Sequence, residues 1–353
     1  MKTRIKRFGP LFGLALLSVA ACGQRGSGPA ENAAADHAGD PKAAAAPVIE
    51  RLDPGLDAVI APGTTIRRVA TGFVFTEGPM WRDGRLWFSD VQGDTVYAVS
   101  PNGEKAVLIR KAGGYPNPPA GANLGPNGMV PDKDGSVLLV QMGGRRISRV
   151  GPDMKPKPFL AEYRGKRLNS PNDLVFAPDG ALWFTDPPFG LPKMDKDPAK
   201  ELPFNGVFRY ANGKLTAVIT DLTIPNGIGL SPDGKTLYVN NYGPDIKVMA
   251  YDLSVGGNVS NGRALATFAE TDGPGGADGL KVDMAGNIWT TGPGGIRIIT
   301  PKGKILGFIR MPKQTANLAF GGDGHTLYIT SSDSVYSIRS RISGEIPLYA
   351  SDR

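Results

Sequence analysis

Soft and imidazole donors are almost missing from this chain of 353 residues, which has one cysteine, Cys22, and two histidines, His37 and His325. No Cys/His zinc set can be built from them. A Ser-His-Asp triad also lacks a placed histidine, since His37 lies in a stretch of small residues and His325 just after a turn. The apolar run at 11–21 is too short to span a bilayer. No Lys/Arg cluster argues for a nucleic-acid partner. The formal charge of +7 is largely a feature of the start of the chain, where Lys2, Arg4, Lys6 and Arg7 stand. Without residues 1–21 it falls to +3.

Those four basic residues followed by a short apolar run have the form of a secretory signal. The run ends Leu17-Ser18-Val19-Ala20-Ala21-Cys22-Gly23, which resembles a bacterial lipoprotein signal and implies cleavage before Cys22 and acylation of its thiol. Two or more acyl chains anchor a protein stably. The expected organisation is a signal peptide at 1–21, a flexible tether at 22–48 made of Gly, Ala, Ser, Pro, Asn and Asp, and one domain at 49–353. The expected location is the bacterial envelope, on the periplasmic side, with the membrane as a partner through the lipid. Gly23 rather than Asp after the cysteine leans toward the outer membrane.

What is abundant is turn chemistry. Gly 48 and Pro 31, with short aromatic and β-branched runs between them, fit many strands and tight turns. One pattern recurs six times, starting at Glu77, Asn127, Asn172, Asn226, Asp278 and Asn317. Each copy runs from this polar head through a short apolar segment to a turn glycine seven or eight residues later, and then into a second strand-like run such as Leu86-Trp87-Phe88-Ser89. Head-to-head spacings of 39 to 54 residues suit one four-stranded propeller blade per repeat. The fold class is therefore an all-β, six-bladed β-propeller. Only three strand-length runs follow Asn317, and the unpartnered run at 65–70 is expected to complete the last blade and close the ring.

In a propeller the first strand of each blade lines the central channel, so the six heads ring one mouth. Asn-Gly and Asp-Gly are also ordinary turn pairs, which accounts for Asn127, Asn226 and Asp278. It does not account for Glu77, Asn172 or Asn317, whose repeats have separate turns downstream. A ring of buried carboxylates and amides needs something to satisfy it. Two carboxylates with neutral carbonyl oxygens are hard ligands suited to one divalent cation, Ca²⁺ first, with Mg²⁺, Mn²⁺ or Zn²⁺ as alternatives.

The segments Thr76-Glu77-Gly78-Pro79-Met80-Trp81, Asn169-Ser170-Pro171-Asn172-Asp173, Phe184-Thr185-Asp186-Pro187-Pro188-Phe189-Gly190, Pro225-Asn226-Gly227 and Ala277-Asp278-Gly279-Leu280 resemble the gluconolactonase, or senescence marker protein 30, family. The resemblance runs from about residue 66 to 340. It implies a six-bladed propeller, a small-molecule lactone as substrate, and one catalytic divalent cation held by Glu77, Asn172, Asn226 and Asp278. Asn127 matches a further channel-facing Asn that contacts substrate. Animal members carry an Arg two residues before the third-blade ligand, where this chain has Ser170, so the family does not fix which sugar lactone is used.

Opening a lactone needs a polarised carbonyl, an activated water and a place for negative charge. Asp278 is the candidate base, its alternative role being metal ligand alone. Asn127 and Asn317 are candidate donors to substrate, and Asp173 a candidate orienter of the adjacent ligand. Trp81, Met129, Phe189 and Tyr242 either wall the mouth or pack in the core. The insertion at 190–206 is either a lid or a surface loop. Competing functions are a calcium-dependent aryl-ester or organophosphate hydrolase and a non-catalytic envelope-binding propeller.

Overall fold

The computed structural model describes residues 45–119, 121–345 and 347–350. The signal at 1–21, Cys22, His37 and nearly all of the tether lie outside the described residues. Among the described residues no helix is long and apolar enough to cross a membrane.

Six antiparallel sheets of four or five strands follow one another along the chain, with a two-stranded hairpin, Glu162–Tyr163 and Lys166–Arg167, between the second and third. Their innermost strands are Thr76–Arg82, Pro126–Pro131, Leu174–Phe176, Pro225–Leu230, Leu280–Val282 and Thr315–Gly321, which define blades 1 to 6. Blades 1 to 4 run outward strand by strand in sequence order, and blades 5 and 6 do so up to an outermost strand taken from the start of the domain. Second strands such as Leu182–Asp186 and Ile288–Gly292 are buried along their whole length, because a blade is covered on both faces by its neighbours. That is why they read as continuous apolar runs and not as alternating ones.

The core is six clusters lying between six blades. Phe88 of blade 1 meets Tyr328 and Val335 of blade 6, Met80 meets Met129 and Leu139 between blades 1 and 2, and Trp183 meets Ile228 and Val239 between blades 3 and 4. Each blade is thus stabilised by burial on both faces, and the ring needs closure for its end blades to be covered. Arg67–Thr71 supplies it, pairing antiparallel with Ser334–Arg339 as the outer strand of blade 6 before the chain enters blade 1.

Two features add to the ring. Val48–Arg51, beginning one residue inside the stretch expected as tether, pairs with Ile305–Arg310 as a fifth strand of blade 5. Four residues are too few to display a period in sequence. The short 3₁₀ helix Pro54–Ala58, capped by Asp53 Oδ1 accepting from the Gly55 amide at 2.8 Å, then inserts Leu56 and, just beyond it, Ile60 between blades 5 and 6. At the other terminus the chain crosses the end of the channel away from the heads. There Ser343 accepts from the Met284 amide, the Glu345 amide donates to Val282, and Tyr349 sets its ring edge-on to Phe176 at 4.8 Å.

Candidate functional site

The heads owe their position to irregular backbone. Pairing between first and second strands shifts register at Glu77/Met80, Pro126/Met129, Pro225/Ile228 and Thr315/Asn317, so four heads sit at bulges. A bulge re-aims side chains relative to the regular alternation, which is how a polar residue in a buried strand is turned toward the channel. All six heads are buried, none more than 6% exposed.

The glycines after four heads serve this same crowding and not a turn. A Cβ on Gly78 would lie 2.1 Å from the Asn127 carbonyl oxygen, one on Gly227 2.2 Å from that of Asp278, and one on Gly279 2.1 Å from Asn317 Oδ1. Adjacent blades are joined there by the Gly128 amide donating to Asn172 O at 3.0 Å, Gly227 to Asp278 O at 2.9 Å and Gly279 to Ala316 O at 2.7 Å. The Asn-Gly and Asp-Gly pairs are inner-strand elements that let neighbouring backbones approach.

At the ring, Asn317 Nδ2 donates to Glu77 Oε2 at 2.9 Å, and the Gly78 amide donates to the same oxygen. Burial pushes the Glu77 carboxyl up to about 7, with the charge of Asp173 adding to the rise, against the amides of Gly78 and Asn317. Burial also raises Asp278 well above the usual carboxylate range, reinforced by Glu77, to which it is hydrogen-bonded. The Asp278 backbone is held by Asn240 Nδ2 on its carbonyl at 2.6 Å and by its own amide donating to Thr291 Oγ1 at 3.1 Å.

Three amide oxygens complete the arrangement. Asn127 Oδ1, Asn172 Oδ1 and Asn226 Oδ1 are buried and have no hydrogen-bond partner. Leaving one such oxygen unmatched is costly, and those of Asn172 and Asn226 beside two carboxylates are donors that could hold a hard cation. Among the described residues no group of three or more His, Cys, Asp or Glu side chains is placed to hold a metal ion by itself, so the set is a mixed carboxylate and amide one.

The other sequence candidates fall on both sides of the ring. Asn317, expected to reach substrate, spends its amide on Glu77 through Nδ2, while its oxygen accepts from the Leu318 amide at 2.8 Å. It positions a carboxylate instead. Asn127 offers its free carbonyl oxygen, while its Nδ2 faces Met142 Sδ at 3.3 Å. Phe189 and Tyr242 meet edge to face at 5.3 Å at the head mouth. Burial, with the charges of Asp278 and Glu77, pushes the Tyr242 phenol up to about 12, so it stays neutral. Trp81 stacks on Tyr328 and Met129 packs between blades 1 and 2. The insertion at 190–206 buries Leu191 and Leu202 and receives Arg145 Nη1 on the Ala199 carbonyl at 2.7 Å, which anchors it to the body. His325 lies in a blade 6 turn at the far end of its strand from Asn317.

Two residues that bear on the site carry no signal of their own in sequence. Asp186, at the end of its strand, accepts from the Asn169 amide at 2.8 Å and the Ser170 amide at 2.7 Å, fixing the loop that leads into Asn172. Burial pushes it up to about 7. The same blade position recurs as Asp90, which accepts from Val74 and Phe75, and Asn241, which accepts from Ile224. That recurrence was available in an alignment of the repeats. Lys281 is the second residue, with its ammonium in the channel beside Asp173 at 3.5 Å.

A large cavity, about 590 Å³, is not at the ring. It occupies the far part of the channel, lined by Trp81, Leu174, Phe176 and Phe320, and none of the six heads borders it. Its wall is mostly apolar, whereas the buried oxygen donors are gathered at the ring.

A six-bladed propeller with oxygen donors converging at one mouth defines the class. The chain belongs to the SMP-30/Gluconolactonase/LRE-like family, whose model matches residues 75–333. A gluconolactonase of Zymomonas mobilis is 36% identical over 84% of this chain and 87% of its own length. A pentonolactonase of Haloferax volcanii is 27% identical over 76% of this chain and 85% of its own. The solved structure of a gluconolactonase from Xanthomonas campestris superposes with a TM-score of 0.72 at 28% identity, covering 83% of this chain and 94% of that one.

Proposed function

We propose that this chain is a divalent-cation-dependent lactonase acting on sugar lactones, with the ring of heads as its active site. It is a lactonase, a carboxylic ester hydrolase, as its gluconolactonase and pentonolactonase relatives support. The observation that carries cation dependence is the pair of partnerless buried oxygens of Asn172 and Asn226 beside Glu77 and Asp278. Glu77, Asn172, Asn226 and Asp278 would hold the ion, calcium being the first choice for an all-oxygen set. A bound cation supplies Lewis acidity toward a lactone carbonyl and the charge that accumulates on it.

The protein's own groups do the rest. Asp278, held through its backbone, accepts a proton from the water as the water oxygen bonds to the carbonyl carbon, and returns that proton to the ring oxygen as the acyl C–O bond breaks. Asn317 and the Gly78 amide keep Glu77 in one orientation. The Asn127 carbonyl oxygen suits a hydroxyl donor of the substrate. Tyr242 and Phe189 give the mouth an apolar wall with a neutral phenol on it, which limits water at the ring. We further propose that lipid at Cys22 holds this domain at the envelope, which labelled-acyl incorporation lost in Cys22→Ala would support.

The decisive experiment strips the protein with a chelator and assays glucono- and pentonolactones, aryl esters and a fluorophosphate before and after adding Ca²⁺, Mg²⁺, Mn²⁺ or Zn²⁺. Lactone opening that disappears on chelation and returns with calcium is expected. Full turnover in the stripped protein overturns cation dependence, and turnover of only the aryl ester or fluorophosphate overturns the substrate class.

A further inference from the structure

The charged groups just below the ring include one that neither cation binding nor the lactone chemistry uses. Lys281 stands three residues after Asp278 on the inner strand of blade 5 and turns its ammonium into the channel. Its Nζ donates to the Leu280 carbonyl at 2.9 Å and lies 3.4 Å from Asn317 Oδ1 and 3.5 Å from Asp173 Oδ2. It is the one basic side chain among the described residues that line the 590 Å³ cavity.

Two consequences follow from this placement. The first concerns orientation. Lys281 and the Leu318 amide both address the oxygen of the Asn317 amide, so the nitrogen end must face the carboxylates, 2.9 Å from Glu77 Oε2 and 3.5 Å from Asp173 Oδ2. A lysine below the ring thereby fixes a carboxylate within it.

The second concerns charge. Glu77, Asp278 and Asp173 are three carboxylates, each 6% exposed or less, gathered with a single ammonium. With all three carboxylates ionised, as a bound cation would require, the formal sum is two negative units, the complement of a divalent ion. Surplus charge is poorly screened inside a protein, so a mismatch of one unit is felt by whatever ion enters. Asp173 is tied to the ring through Asn317, whose Nδ2 lies 3.5 Å from Asp173 Oδ2 and 2.9 Å from Glu77 Oε2.

We propose that Lys281 is a specificity-determining residue that sets the ring's net charge at two negative units and so tunes it to divalent over trivalent cations, while holding Asn317 toward Glu77. This inference rests on the cation reading above.

The test measures dissociation constants for Ca²⁺ and for Tb³⁺, an oxygen-seeking trivalent ion of similar size, on the full chain after chelation. Calorimetry and sensitised terbium luminescence give the ratio without any turnover assay. Lys281→Met should move the ratio toward terbium by roughly tenfold or more, and Asp173→Asn should move it by a similar factor toward calcium. The double variant Lys281→Met/Asp173→Asn restores the sum and should return within about threefold of wild type, as should Lys281→Arg. If Lys281→Met does not fold, as judged by far-UV dichroism, Lys281→Gln carries the same comparison. A double variant that keeps the single variant's ratio, or one ratio common to all variants, overturns the role of Lys281 alone. A wild-type chain that takes up neither ion overturns the cation reading together with it.

Discussion

At the scale of single residues, the two ring carboxylates are similar in burial and differ in what else they touch. Glu77 accepts two N–H donors, whereas the Asp278 backbone is held by Asn240 and Thr291 and its carboxyl faces Glu77. Glu77→Gln should weaken calcium and regain part of its activity at saturating ion, because charge count sets affinity in such sites. Asp278→Asn, with the ion shown to be bound, should remain down by about 10² or more in kcat, the usual worth of a positioned base. Turnover within a few-fold of wild type would reduce Asp278 to a ligand.

The same carboxylates make stability depend on pH. Glu77 is raised from 4.5 to about 7 and Asp278 is raised too, so the folded, metal-free protein holds protons that the unfolded chain releases. Stability from this source is full below the ordinary carboxylate range and is lost as pH rises through about 7. The chelated protein should therefore melt lower at pH 8 than at pH 5.5, and calcium at pH 8 should narrow the gap. Asp186, also raised to about 7 and away from the ring, leaves a residual slope in both cases. A melting temperature that climbs with pH across this window in the chelated protein would contradict the argument.

At the scale of elements, the inner strand is a short bulged segment whose glycine admits the next blade. Gly227→Ala puts a methyl group 2.2 Å from the Asp278 carbonyl oxygen, a contact that only backbone movement relieves. The cost should be roughly 1–3 kcal/mol by denaturant titration, the range for overpacking. Because the displaced carbonyl belongs to a candidate ligand, calcium affinity should fall as well. Gly213→Ala, at an open turn with no atom within 4 Å but a φ of +76°, should cost stability through backbone strain while leaving calcium affinity unchanged. Equal effects on calcium binding in both variants would mean that the close approach at Gly227 does not position the site.

On the scale of the whole molecule, the ring is held shut by a strand from the opposite end of the chain. Arg67–Thr71 covers the edge of Ser334–Arg339, and the 3₁₀ helix before it fills the junction of blades 5 and 6. A chain starting at residue 45 should be monomeric and keep its turnover. One starting at residue 72 exposes the edge strand of blade 6 and uncovers the Leu56 and Ile60 sites, and should self-associate in size-exclusion chromatography. A monomeric, active chain starting at 72 would show that closure by this strand is dispensable.

The sequence by itself determined the repeat, the blade count and the identity of the six heads, because strand, turn glycine and polar head are local patterns with a fixed order. It also supplied the donor types, since two carboxylates and four amides with almost no Cys or His leave an oxygen site as the chemistry available. Tertiary structure decided which way each amide faces. Asn317 turns to Glu77 because Lys281 and the Leu318 amide occupy its oxygen, while the oxygens of Asn127, Asn172 and Asn226 are left unmatched. Asp186 acts on amides 16 and 17 positions away, Lys281 acts from a neighbouring blade, and Val48–Arg51 finds its partner more than 250 positions away. Contacts of that separation depend on how the ring closes, and closure is a property of all six blades together rather than of any local run of residues.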